Sequence, residues 1–247
     1  MKQRYVLLLA RDESYLVAVE DRKINTNSGI IDLGKLKKKR IGQKIRTHLG
    51  KEFVIAKPTL IDFMNKKLKR LPQIVMPKDA AMILAYTGIP TNAKVVDAGT
   101  GSGFMAIFLG YYLKDGKIVS YEKRKEFANI ARENIKILGL KNVKIKNKDI
   151  LHGIDEKNVD LITLDMKDAE KVVENAFKSL KPGGWLVVYS PYIEQTIKVL
   201  DKLKQMNFTD VKTIEVICRE WQHQKYTRPR TVGLMHTGFL TLARKVM

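Results

Sequence analysis

Two rhythms of apolar and polar positions meet near Pro72. Before it, short apolar runs at Tyr5–Leu9, Tyr15–Val19, Ile30–Leu33, Ile41–Ile45 and Phe53–Ile55 are separated by polar turns such as Asn25-Thr26-Asn27-Ser28-Gly29. That strand-and-hairpin rhythm predicts a small β-barrel-like module over residues 1–72. Thr59 stands where a cap would open a helix running to about Lys69, with Leu60, Phe63, Met64 and Leu68 at helical spacing. Over residues 73–247, amphipathic stretches alternate with short Val/Ile-rich runs. Helices are expected at Pro77 to a Gly88 stop, then near 104–113, 124–138, 169–180 and 193–206. Strands are expected at Lys94–Asp97, Ile118–Tyr121, Val143–Lys146, Leu161–Leu164 and Trp185–Tyr189, with β-rich tail stretches at Val211–Cys218 and Gly238–Ala243. This alternation is the sequence form of an α/β fold with a doubly wound, mostly parallel sheet.

Charge adds a partner class. The chain carries 46 Lys+Arg against 26 Asp+Glu, a net charge of +20, and residues 1–72 alone hold +11 of it. Such a field attracts polyanions, and a nucleic acid is the leading candidate. The run Lys35, Lys37, Lys38, Lys39 and Arg40, flanked by Gly34 and Gly42, reads as an exposed loop able to meet phosphates. A single cysteine, Cys218, excludes an intrachain disulfide framework, and the sequence offers no Cys/His metal spacing. The apolar start at Tyr5–Ala10 is too short for a signal segment or a membrane span, so a cytoplasmic chain is expected, with no membrane partner.

The candidate chemistry lies at the strand ends of the α/β part. After the first strand comes Asp97-Ala98-Gly99-Thr100-Gly101-Ser102-Gly103-Phe104, whose glycines let the backbone turn sharply beside a ligand. A dinucleotide site wants G-x-G-x-x-G; here the spacing is Gly99-x-Gly101-x-Gly103 with an acidic residue at the mouth, which suits a cationic ligand better than a pyrophosphate. Glu122 ends the second strand, where a carboxylate can accept from both ribose hydroxyls. Asp149 follows the third strand, either facing an adenine amino group or simply capping the turn Ile150–Gly153. Asp165 follows the fourth, at the expected switch in strand order where ligands gather.

Together, Asp97–Phe104, Glu122, Asp149, Asp165 and Leu180-Lys181-Pro182-Gly183-Gly184 resemble the class I S-adenosylmethionine-dependent methyltransferases, with their Rossmann-like sheet. Within that class the chain resembles the tRNA (adenine-N1)-methyltransferases of the T loop. The closer likeness rests on the basic β module, Gln73–Asp79, Ser190–Gln195, Arg228-Pro229-Arg230 and His236–Leu240. The resemblance implies S-adenosyl-L-methionine along Asp97, Gly99, Gly101, Ser102, Gly103 and Phe104, with Glu122 on its ribose, Asp149 near its adenine, and S-adenosyl-L-homocysteine as product. It implies Asp165 as the catalytic residue at an adenine flipped from the tRNA, at position 58 and in archaeal members also 57, and a homotetrameric assembly. Substrate contacts are expected from Met76, Lys78 and Tyr192, and from Lys37, Lys38 and Arg40 of the basic run. Two departures stand out: Met76 occupies a place where many members carry an aromatic or histidine, and no proline follows Asp165 within Met166–Ala169.

Among the remaining residues, His48, His152 and His223 read as surface positions, His236 as a packing or hydrogen-bonding residue near the cleft, and Cys218 as core. Trp221 and Tyr226, among Arg219, Lys225, Arg228 and Arg230, suit either stacking on bases or a subunit interface. Two other readings stay open: the same fold methylating a protein isoaspartyl group or a small molecule, and a non-catalytic RNA-binding protein with a vestigial cleft.

Overall fold

The structure, a computed structural model, describes residues 3–223, 226–231, 233 and 235–247. The chain divides into two compact units, Met1–Lys69 with Ile137–Gly139, and Arg70–Lys136 with Leu140–Met247.

In the first unit, β1 (Tyr5–Leu9), β2 (Ser14–Ala18), β5 (Lys44–Arg46) and β6 (Glu52–Ala56) form an antiparallel sheet in the order β2-β1-β6-β5. β3 (Lys23–Thr26) and β4 (Gly29–Asp32) form a separate hairpin turning at Asn27-Ser28. Alternation puts Val6 and Leu8 of β1 with Phe53 and Ile55 of β6 on one face, where they bury against Ile31, Leu33 and Leu36. The apolar run Ile41–Ile45 is a strand only from Lys44, and Ile41 is exposed. β3 is invisible to the apolar pattern because Ile24 is its only apolar residue. Helix α1 (Leu60–Lys66) opens at Thr59, whose N–H donates to the Asp62 carboxylate at 2.8 Å, and stops short of Lys69.

In the second unit, α2 (Pro77–Thr87) begins on proline and ends on Gly88 in the left-handed conformation. There follow β7 (Lys94–Ala98), α3 (Phe104–Tyr112), β8 (Lys117–Tyr121), α4 (Lys125–Leu138), β9 (Val143–Lys146), β10 (Val159–Leu164), α5 (Val173–Ser179), β11 (Leu180–Ser190) and α6 (Ile193–Lys204). The tail adds β12 (Phe208–Glu215), a hairpin of β13 (Trp221–His223) with β14 (Thr227–Pro229), and β15 (Phe239–Lys245). The seven-stranded sheet runs β12-β15-β11-β10-β7-β8-β9, parallel from β11 to β9, with β15 antiparallel to both of its neighbours, so that β12 runs in the same direction as β11. This is the expected Rossmann-like sheet, and β7 and β10 flank its switch point. The helix expected over 169–180 is a 3-10 turn, Ala169–Lys171, followed by α5. Lys181–Gly184 forms an irregularity inside β11 that shifts its register against β10.

Candidate functional site

The loop between β7 and α3 takes its shape from what lies under it. Gly99 has φ +80°, and a β-carbon on it would stand 1.7 Å from the main-chain oxygen of Asp165, so only glycine allows the two strand ends to approach. Gly103 caps α3 with φ +88°, and a side chain there would press on the Cα of Ala131 in α4 at 3.3 Å. The loop is stitched to β8: Thr100 N–H donates to the Tyr121 carbonyl at 3.2 Å and Gly101 N–H to Glu122 Oε2 at 2.9 Å. On the other side, Asp165 N–H donates to the Ala98 carbonyl at 2.8 Å.

These turns bound a cavity of about 430 Å³, a volume suited to a ligand of nucleoside size. Its walls include Gly99, Gly101, Ser102 and Phe104 from the loop, Glu122 after β8, Asp149 after β9 and Asp165 after β10. The segment Leu71–Val75, Tyr121 and Phe127, and Pro191, Tyr192 and Gln195 complete it. Lys123, Arg124, Lys148 and Lys167 bring positive charge to its border.

Asp97 does not reach this cavity, contrary to the expectation from sequence. It is buried at 1% exposure and accepts from Ser120 Oγ on β8 and Thr163 Oγ1 on β10. Burial raises its pKa, opposed by those two hydrogen bonds. Gly103 also lies outside the cavity lining and acts on it through the helix turn. Glu122, 4% exposed, accepts from Gly101 N–H and from the N–H of Arg124 at 3.0 Å, with Arg124 Nε at a long 3.4 Å. That leaves acceptor capacity on its two oxygens. Asp149 accepts from Leu151 N–H at 3.0 Å, capping the turn, and it also lines the cavity. Burial, with Asp97 nearby, lifts the pKa of Asp165 to about 7.

The expected substrate residues divide. Tyr192 lines the cavity and is 61% exposed. Met76 does not line it; it is the N-terminal cap of α2, its carbonyl accepting from Asp79 and Ala80. Lys78 is committed inside the fold. Its ammonium donates to Asp79 Oδ1 at 2.8 Å, to Thr237 Oγ1 at 2.6 Å and to the Val216 carbonyl, which uses all three of its N–H groups. Lys78 is therefore not available as a substrate contact in this arrangement, because the tail folds back over the start of α2. Lys37, Lys38 and Arg40 lie not in a loop but in and just after a 3-10 turn, Leu33–Lys38, anchored by buried Leu33 and Leu36. Lys37 pairs with Asp21.

Cys218 is exposed rather than core: β12 ends at Glu215, and an apolar run at a sheet edge need not be buried. Trp221 and Tyr226 are 52% and 73% exposed, and Lys225 lies outside the described residues. A cavity residue not foreseen from sequence is Phe127, on which the Arg124 guanidinium stacks at 3.6 Å from the ring centre. Their spacing in the first turn after Glu122 is the available signal.

The residues present fit S-adenosylmethionine. The carboxylates of Glu122, Asp149 and Asp165 surround one cavity and favour a cation. Ser102 lines the cavity, and its buried hydroxyl has no hydrogen-bond partner among the described residues, which leaves it to meet a polar ligand group.

The family described as the tRNA methyltransferase complex GCD14 subunit matches residues 54–232. The chain belongs to this family. It is 38% identical to the tRNA (adenine(57)-N(1)/adenine(58)-N(1))-methyltransferase of Methanocaldococcus jannaschii, over 97% of this chain and 94% of that protein. Among solved structures, an S-adenosylmethionine-dependent O-methyltransferase from Thermotoga maritima is similar at TM-score 0.89 and 35% identity, covering 100% of this chain and 94% of the other. The tRNA (m1A58) methyltransferase of Aquifex aeolicus is similar at TM-score 0.84 and 25% identity, covering 100% and 98%. Among the described residues of this family member, no cluster of His, Cys, Asp or Glu is arranged to hold a metal ion, and no helix is long and apolar enough to cross a membrane.

Proposed function

We propose that this chain methylates N1 of adenine in the T loop of tRNA, at position 58 and at the adjacent 57, as the name of its Methanocaldococcus relative describes for that protein. The observation that carries the reading is the meeting of three carboxylates from successive strand ends, Glu122, Asp149 and Asp165, around one nucleoside-sized cavity. S-adenosylmethionine, when bound, supplies a methyl group already activated on a sulfonium. Glu122 then holds the ribose, Asp149 lies by the adenine, and Ser102 and the Gly99–Gly101 turn receive the amino-acid end. Adenine N1 is a weak nucleophile, so the chain's contribution is alignment and exclusion of water. As the new bond forms, the adenine ring becomes cationic and its exocyclic amine more acidic. The Asp165 carboxylate accepts a hydrogen bond from that amine and stabilises the charge where it develops, a contribution of about 3–4 kcal/mol in comparable sites.

An adenine inside the tRNA elbow reaches this cavity only if it is swung out, at a cost of a few kcal/mol. In this reading the basic N-terminal unit holds the surrounding RNA, with Lys38 and Arg40 exposed for phosphate contact. The reading also carries a homotetramer, which light scattering on the purified chain tests, and action in the cytoplasm.

The deciding experiment incubates the chain with unmodified tRNA and S-adenosylmethionine and analyses the nucleosides by mass spectrometry. N1-methyladenosine at 58 and 57 supports the reading. Methyl transfer to a hydroxyl of a small molecule or to an isoaspartyl peptide, with tRNA unmodified, overturns it.

A further inference from the structure

His236 stands on the stretch of tail that returns to the sheet just before β15, and both of its ring nitrogens are engaged by acceptors. Nδ1 lies 2.6 Å from Glu215 Oε1, at the end of β12, and Nε2 lies 3.0 Å from the main-chain oxygen of Pro191. A carboxylate and a carbonyl only accept, so both nitrogens must donate, and an imidazole with two N–H groups is the cation. The ring also packs on Phe239, 4.9 Å between centres, which fixes its plane. Pro191 is itself part of the cavity wall, and the next residues, Tyr192 and Gln195, continue that wall into α6.

We propose that His236 is a positioning residue for methyl transfer: as the imidazolium it ties the Pro191 carbonyl to Glu215 and so sets the wall that carries Tyr192 toward the substrate base. The inference rests on the function proposed above. The neighbouring threonine shares the task from the other side. Thr237 donates to Asp79 Oδ2 at 2.9 Å, and its carbonyl accepts from Tyr189 two residues before Pro191, so the tail grips both ends of this turn. On loss of one proton the imidazole keeps a single N–H, and either Glu215 or Pro191 loses its bond. The charged groups facing the ring are Glu215 from β12, which favours the cation, and Lys78 from α2, which opposes it and is itself neutralised by Asp79. The Pro191 carbonyl and the Glu215 carboxylate prevail and hold the imidazolium above the ordinary histidine range.

The test has two readings on the intact chain. The first is the NMR titration of the His236 ring, which requires no turnover. It should titrate above the usual histidine range, and in Glu215→Gln it should titrate at lower pH, since the carboxylate that favours the cation is gone. The second is the pH dependence of KM for tRNA. It should rise roughly tenfold as His236 deprotonates, the size of one charge-assisted hydrogen bond, with kcat unchanged. Glu215→Gln should move that rise to lower pH, and His236→Ala should hold KM at the high value throughout. A His236 titration in the ordinary range, or a KM profile that Glu215→Gln leaves in place, overturns the proposal. Absence of any methyl transfer to tRNA with the ring titrating as expected counts against the function and leaves the clasp standing.

Discussion

The main-chain oxygen of Asp165 occupies the place where a β-carbon on Gly99 would stand, 1.7 Å away. The proposed cofactor loop and the proposed catalytic residue are therefore held in backbone contact, with no side chain between them. Gly99→Ala must push β7 and β10 apart at their ends, and it must do so at φ +80°. The expected result is a loss of about 3–5 kcal/mol in urea unfolding. Thermal stabilisation by S-adenosylhomocysteine should disappear with it, even where the variant remains folded.

Replacing Asp165 by Asn keeps shape and volume and removes the negative charge that stabilises the developing cation. Turnover should fall about a hundred- to thousand-fold, while S-adenosylhomocysteine affinity measured by calorimetry stays close to the parent's. A parallel loss of both would make Asp165 a binding residue only.

The acid range offers a separate check on the same carboxyl. Its folded pKa is about 7, above the value of an unfolded aspartate. Its contribution to stability is complete below the unfolded value and is lost as pH rises through about 7, because folding then opposes an ionisation the unfolded chain makes freely. Asp165→Asn should accordingly melt a few degrees higher than the parent at pH 8 and at the same temperature near pH 3, by calorimetry. For the ionised acceptor, kcat/KM for the methyl donor should climb with pH to a plateau above 7. Saturation with the cationic donor should move the limb in kcat downward, since a neighbouring positive charge favours the carboxylate.

Much of this is written in the chain's periodicity. The Gly99–Gly103 turn, Glu122 and Asp165 can be placed because a parallel sheet brings consecutive strand ends to one edge, which follows from alternation alone. The place of Asp97 is not legible in the same way, because its fate depends on neighbours, Ser120 and Thr163, that only strand pairing supplies. Lys78 escapes for a related reason: its partners Val216 and Thr237 lie 138 and 159 positions away. Cys218 follows an apolar run that carries no mark of lying past a sheet edge.

Glu122→Gln should weaken S-adenosylhomocysteine binding about ten- to hundredfold in a thermal-shift titration, the effect of replacing a charged acceptor by a neutral one. The amide oxygen can still accept from Gly101 N–H, so unfolding in urea should change little.

Binding of tRNA should weaken linearly in log–log terms as salt is added. Lys38→Ala and Arg40→Ala should each reduce the slope by about 0.7–0.9, as expected for one phosphate contact apiece. Lys37→Ala should reduce it less, because its ammonium is already shared with Asp21. Equal slopes for all four proteins would remove this turn from the RNA contact.

The carboxylate of Asp97 fastens three adjacent strands in matched register, with Ser120 directly across on β8 and Thr163 directly across on β10. Sliding any one strand by a residue would turn its hydroxyl to the opposite face and leave a bare anion in the middle of the sheet. Small adjustments of spacing at the mouth are thereby forbidden: the sheet aligns correctly or not at all. The inner acid thus works as an alignment key, and the tolerance of the methyl-transfer geometry is set beneath the surface on which the chemistry takes place.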